Sequence, residues 1–167
     1  SKKKEILFIG RLVPEKGVDL YVDALQSIQP NFPDWTFGII GSHRLGNNNN
    51  SNYFAQKVID KFESIGNQTN FYGFKDQNFI QKKLCDASII VIPSIWEEPF
   101  GLVAAEAMSN GVAIIASKVG GIPEIVKENG ILIENVNTFK IEKAIIELIK
   151  NDKKRKQLQN NAWKKFN

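Results

Sequence analysis

Two runs in this chain, "ASIIVIP" (87–93) and "VAIIAS" (112–117), are apolar at nearly every position. A strand with one face in water alternates polar and apolar residues, whereas a strand without alternation must be covered on both faces. Four more short β-rich runs accompany them: "EILFIG" (5–10), "WTFGIIG" (35–41), "NFYG" (70–73) and "GILIE" (130–134). Between these, residues 17–29, 52–65, 76–86, 101–110 and 138–150 carry helical spacing. In the last of them Ile141, Ile145, Leu148 and Ile149 share one face. A closing helix is expected over 152–165. Strands that alternate with helices form βαβ units around a parallel sheet, and right-handed crossovers wind them into layers on both faces. The expected fold is therefore α/β, a doubly wound parallel sheet. At 167 residues, 43% hydrophobic and 24% charged, the chain reads as one globular domain.

Composition removes several function classes. No run of eighteen apolar residues occurs, so no transmembrane helix is expected. "SKKKEILFIG" reads as a first strand, not a signal peptide. The single Cys85 excludes an internal disulfide, suits a reducing compartment, and is expected to be a buried structural thiol. Cytoplasmic placement is the expectation. The net charge is 22 − 18 = +4, with much of the excess in "KNDKKRKQLQNNAWKKF". A solvated helical face is the plain reading of that segment, and peripheral contact with the inner face of a membrane is the sharper one. No recognition motif accompanies the charge, so nucleic acid is not an expected partner. "NNNNSN" (47–52) reads as a polar loop.

In a sheet of this kind ligands bind beyond the carboxyl ends of the strands. The loops there are "GRLVPEKG" (10–17), "GSHRLGNNNN" (41–50), "GFKD" (73–76), "PSIWEEPFG" (93–101) and "SKVGGIPE" (117–124). In the first, Gly10 lets the chain turn, and Arg11 and Lys16 offer two cations that suit a diphosphate. An exposed loop with incidental charges is the alternative. In the fourth, a helix starting near Gly101 would present the amides of Gly101, Leu102 and Val103 to an anion. Glu106 lies about 7.5 Å along that helix and leans back toward its start. Glu98 lies in the loop on the other side. The order carboxylate, anion cradle, carboxylate matches sugar hydroxyls, diphosphate and ribose hydroxyls in a nucleotide sugar. A helix N-terminal charge at Glu98 and a solvent-facing Glu106 would give the same spacing. His43 reads as a loop residue first and a phosphate contact second.

"PSIWEEPFGLVAAEAMSNGVAIIASKVGGIPEIV" resembles the signature of the family-4 retaining glycosyltransferases, with its E-x7-E pair at Glu98 and Glu106. "GRLVPEKGVDLYVDAL" is similar to that family's phosphate loop. The likeness covers the whole chain. It implies a Rossmann-like domain, the C-terminal, donor-binding half of a GT-B fold, here over residues 1–167. By the resemblance, Arg11 and Lys16 bind the donor diphosphate, Glu98 the transferred sugar, and Glu106 the ribose. Backbone from Phe100 through Val103 adds contacts, and Phe74 lies near the base. Gly10, Gly41 and Ser42, at the ends of the first two strands, complete the expected donor-binding set. The family's N-terminal acceptor domain is not matched in this sequence; a fragment or an excised domain is the expectation, with a natural half-protein as the alternative, and the isolated domain is expected to be inactive alone.

The implied reaction is transfer of a sugar, hexosyl in type, from a nucleotide diphosphate sugar to a glycan or lipid-linked acceptor, as in polysaccharide biosynthesis. No D-x-D occurs, which fits a metal-independent scheme without cofactor. There Arg11, Lys16 and the helix start would stabilise the leaving diphosphate, with Glu98 beside the sugar. Two other readings keep the fold: a nucleotide-sugar isomerase or epimerase, and a non-catalytic nucleotide-sugar binding module. A nicotinamide-dependent oxidoreductase fits poorly, because "RLVPEKG" follows the first strand where G-x-G-x-x-G is wanted.

Overall fold

The computed structural model describes residues 1–42 and 49–167. Six parallel strands form one sheet in the order β3-β2-β1-β4-β5-β6. They are β1 (Lys3–Ile9), β2 (Thr36–Ile40), β3 (Thr69–Gly73), β4 (Ala87–Ile92), β5 (Ala113–Ser117) and β6 (Ile131–Ile133). The helices are α1 (Val18–Ile28), α2 (Asn49–Ser64), α3 (Gln77–Asp86), α4 (Leu102–Ser109), α5 (Ile122–Val126), α6 (Thr138–Lys150) and α7 (Asp152–Phe166). The doubly wound expectation holds. β4 and β5 are buried at every position, because alternate side chains enter two different cores. Ile89, Val91 and Ile115 pack with α1, α2 and α6 through Val18, Leu25, Phe62, Ile141 and Leu148. Ile90, Ile92 and Ile114 pack with α3, α4, α5 and α7 through Leu84, Met108, Ile122 and Ala162. Strand order reverses between β1 and β4, so their outgoing loops diverge and leave a crevice at the carboxyl edge.

Several expectations change. Helix α2 starts at Asn49, so the polar loop expected over 47–52 is helical from there; asparagine is favoured around helix starts. Residues 117–124 are not all loop, since α5 begins at Ile122 with Pro123 in its first turn, where a proline lacks no needed donor. Cys85 is exposed, not buried. Its neighbour Leu84 takes the inward face of α3, and the thiol turns outward to donate to Asn110 Oδ1 at 3.0 Å. The basic tail is only partly a solvated face. Arg155 is buried, donates to the carbonyls of Leu148 (2.8 Å) and Ile149 (3.3 Å), and stacks 5.3 Å from the Trp35 ring. It thereby satisfies carbonyls at the end of α6 that would otherwise lack partners.

Candidate active site at the carboxyl edge of the sheet

Backbone bonds first fix the loops. Gly10 N donates to Ile40 O (3.0 Å), Leu12 N to Ser42 O (3.2 Å) and Gly41 N to Gly73 O (2.9 Å), which ties the exits of β1, β2 and β3 together. Pro14–Lys16 then form one 3-10 turn, whose proline presets the backbone. The turn delivers Glu15 to the β4 loop, where its carbonyl accepts from Ile95 N at 2.9 Å. It also brings Lys16 to Glu98. Their ammonium and carboxylate form an ion pair at Glu98 Oε1, and buried Ser94 donates its hydroxyl to the same oxygen at 2.9 Å. The sequence assigned Lys16 and Glu98 to different parts of a ligand; in the folded chain they hold each other. Ser94 was not singled out. Its place four residues before Glu98, just past a buried strand, was the available signal.

The segment 97–100 is clamped from behind by the two glycines of "SKVGGIPE". Gly121 N donates to Glu98 O at 2.6 Å. Gly120 sits at φ +54°, and a Cβ there would lie 2.2 Å from Glu98 O, so only glycine allows the approach. Gly101, the residue that caps α4, has φ +59°, and its own Cβ would meet Ile125 at 2.9 Å. The helix start is thus pressed onto α5 and carries no side-chain cap. Its first internal backbone bond is Ala105 N to Gly101 O, which leaves the preceding amides facing outward with the positive end of the dipole.

A cavity of about 330 Å³ lies there, lined among others by Gly10, Lys16, Glu98, Phe100, Gly101, Leu102 and Val103. Most of the expected donor-binding set therefore converges on one place. A second cavity of about 440 Å³ adjoins it through Ile9 and Gly10 and takes in Arg11, Gly41, Ser42 and Phe74. Phe74 is 76% exposed, Phe100 73% and Leu102 67%, so the rim is apolar. Lys75 and Ile80 also line this second cavity and were not anticipated. Arg11 is exposed and forms no ion pair with any carboxylate among the described residues. Glu106 lines neither cavity. It is half-buried toward α3, where Oε2 accepts from Gln77 Nε2 at 3.1 Å, so it is not the purely solvent-facing residue of the alternative reading. His43 and Arg44 lie outside the described residues. Among the described residues no group of three or more His, Cys, Asp or Glu side chains could hold a metal ion. No helix of the described chain is long and apolar enough to cross a membrane.

The chain matches the family described as glycosyl transferases group 1 over residues 1–165. It is 35% identical over 158 residues to an uncharacterized glycosyltransferase of Methanocaldococcus jannaschii, which covers 93% of this chain and 41% of that protein. Over 121 residues it is 30% identical to a lipopolysaccharide 1,2-N-acetylglucosaminetransferase of Salmonella typhimurium, covering 72% of this chain and 32% of the relative. The chain thus spans about two fifths, or less, of the length of these relatives. The C-terminal domain of a glycosyl transferase group 1 family protein from Francisella tularensis superposes with a TM-score of 0.81 at 31% identity, covering 98% of this chain and 84% of that one. The Anabaena protein HepE, crystallised in complex with UDP, superposes with a TM-score of 0.84 at 24% identity over 99% of this chain and 44% of its own. This chain belongs to the glycosyl transferases group 1 family, and its six-stranded sheet is the C-terminal half of a GT-B fold.

Proposed function

We propose that this chain is a donor-binding domain that holds a nucleotide diphosphate sugar for a retaining glycosyl transfer. The observation that carries the reading is the convergence of the uncapped α4 start, Lys16 and Glu98 on one cavity at the sheet's switch point. The diphosphate sits on the amides of α4, with Arg11 and Lys16 as its cations. Glu98 accepts from hydroxyls of the transferred sugar. Glu106 gives up its bond from Gln77 to reach the ribose, and the base lies along Phe74 in the adjoining cavity. The presence of UDP in the Anabaena neighbour supports a nucleotide as the ligand of this fold.

In the transfer, the bond from the anomeric carbon to the diphosphate oxygen breaks with its electron pair going to the leaving group. The acceptor hydroxyl adds to the same face, and its proton passes to a diphosphate oxygen. Arg11, Lys16 and the α4 dipole stabilise the charge that develops there, so the scheme is metal-independent. A second, acceptor-binding domain supplies the other wall of the cleft, and without it the chain is inactive, since nothing positions the acceptor. The setting is cytoplasmic polysaccharide or lipid-linked glycan assembly. A peripheral membrane contact uses the end of α7, where Trp163 and Phe166 are exposed beside Lys164 and Lys165.

Titration calorimetry of the chain against UDP, GDP and ADP, each with and without EDTA, tests the reading. One nucleotide should bind with an affinity that EDTA leaves unchanged. No binding by any of the three refutes nucleotide recognition, and binding abolished by EDTA refutes the metal-independent scheme.

A further inference from the structure

Next to the α4 cavity, and sharing Lys16, Glu98 and Pro99 with it, lies an open groove of about 540 Å³, whose walls also include Arg11, Glu15, Trp96 and Glu97. Its most prominent feature is the indole of Trp96, 71% exposed. An indole left in water forfeits the burial that a large aromatic would gain in a core. The loop beneath it is nevertheless fixed: Ile95 N and Trp96 N both donate to the Glu15 carbonyl, at 2.9 and 3.4 Å. The groove thus combines a flat apolar face on an anchored backbone with carboxylates beside it.

We propose that this groove is an acceptor-side carbohydrate subsite, with Trp96 as the platform on which a neutral sugar ring stacks. The proposal rests on the donor reading above and adds a ligand class and a residue to it. Three carboxylates and two cations line the groove, and Lys16 is already paired. A polyanion meets net repulsion there, and an anionic membrane surface meets the same carboxylates. A hydroxyl-rich neutral ring instead finds acceptors at Glu15 and Glu97, a donor at Arg11, and an aromatic face for its C–H surface. Lys16, Glu98 and Pro99 line both this groove and the α4 cavity. A ring on Trp96 therefore lies across one shared wall from a sugar held at Glu98.

The test follows the indole N–H resonances of Trp35, Trp96 and Trp163 in the isotopically labelled chain, with UDP added, as maltose or N,N′-diacetylchitobiose is titrated. Trp96→Ala assigns the Trp96 signal. The Trp96 signal should move saturably with at least one disaccharide while those of Trp35 and Trp163 stay still. Trp96→Phe should retain the backbone shifts of Glu15 and Glu97, and Trp96→Ala should lose them with UDP affinity unchanged within about twofold. UDP binding with a silent Trp96, or equal movement of all three indoles, overturns the subsite and leaves the donor reading intact. Where UDP does not bind, GDP or ADP takes its place; failure of all three to bind refutes the donor reading, and the sugar titration of the nucleotide-free chain then decides the groove alone.

Discussion

The ion pair between Lys16 and Glu98 sets what single substitutions should do at the site. In the free chain the pair is half-buried and shares Ser94. Under the proposed function, a diphosphate arriving at α4 would compete with Glu98 for the Lys16 ammonium, and the released carboxylate would become available to sugar hydroxyls. Lys16→Ala should weaken diphosphate binding roughly tenfold or more, since hydrogen bonds to charged groups are worth about 1.5–3 kcal/mol; calorimetry against the nucleotide that binds the wild type measures it. Away from the site, Glu5 is buried and accepts from Tyr72 at 2.8 Å and from Lys83 at 3.2 and 3.3 Å. Burial pushes the Lys83 ammonium down, but the bonds and charges of Tyr72 and Glu5 outweigh it and leave its pKa above the ordinary 10.5. Burial likewise raises the Tyr72 phenol above its ordinary 10.0. In both groups the folded state holds its proton more firmly than the unfolded chain. Their stabilisation is therefore complete below about pH 10 and is lost as pH climbs through the raised values. Lys83→Met should lower stability by about 2–3 kcal/mol at neutral pH, because Glu5 stays buried without its cation. It should also flatten the alkaline fall in urea midpoint above about pH 10. A variant with wild-type stability and an unchanged alkaline limb would remove this role.

At the scale of elements, the strands were the most legible part of the chain. "ASIIVIP" and "VAIIAS" lack alternation, and each proves to be a strand covered on both faces. Helix α5 was hidden because five residues give no period to read, and its proline looks like a loop signal. Cys85 was misplaced because composition ranks thiols as buried, while the register of α3 turns this one outward. The candidate site was legible as two loops; of the E-x7-E pair, Glu98 lines the α4 cavity and Glu106 does not. What the sequence concealed was contact between loops: the Lys16–Glu98 pair joins residues 82 apart, and no local pattern records such a closure. The glycine clamp belongs at this scale too. Gly120→Ala puts a Cβ 2.2 Å from Glu98 O and forces a left-handed residue to carry a side chain. Stability should fall by about 2–4 kcal/mol. Nucleotide affinity should fall with it in protein that is still folded, because the segment carrying Glu98 and the start of α4 must move. Thermal melts paired with calorimetry check both. Loss of stability with unchanged affinity would mean that the clamp supports the fold and not the site.

For the molecule as a whole, the strand order places β1 and β4 side by side with their helices on opposite faces, and the expected ligand groups other than Glu106 gather in two adjoining cavities at the carboxyl edge. Family membership and fold agree with this geometry. The roles of individual residues rest on where a nucleotide sugar would lie across it, with Glu98 in the α4 cavity and Glu106 turned toward α3. A two-by-two calorimetric comparison bears on that claim most directly. Glu98→Gln and Glu106→Gln are each titrated with the preferred nucleoside diphosphate and with its sugar conjugate. Glu106→Gln should weaken both ligands roughly tenfold or more, since one charged hydrogen-bond acceptor is worth about 1.5–3 kcal/mol. Glu98→Gln should weaken the sugar conjugate while leaving the bare diphosphate unchanged or slightly tighter, because Lys16 is released from its pair. Equal weakening of both ligands by Glu98→Gln, with no effect of Glu106→Gln on either, would contradict the assignment.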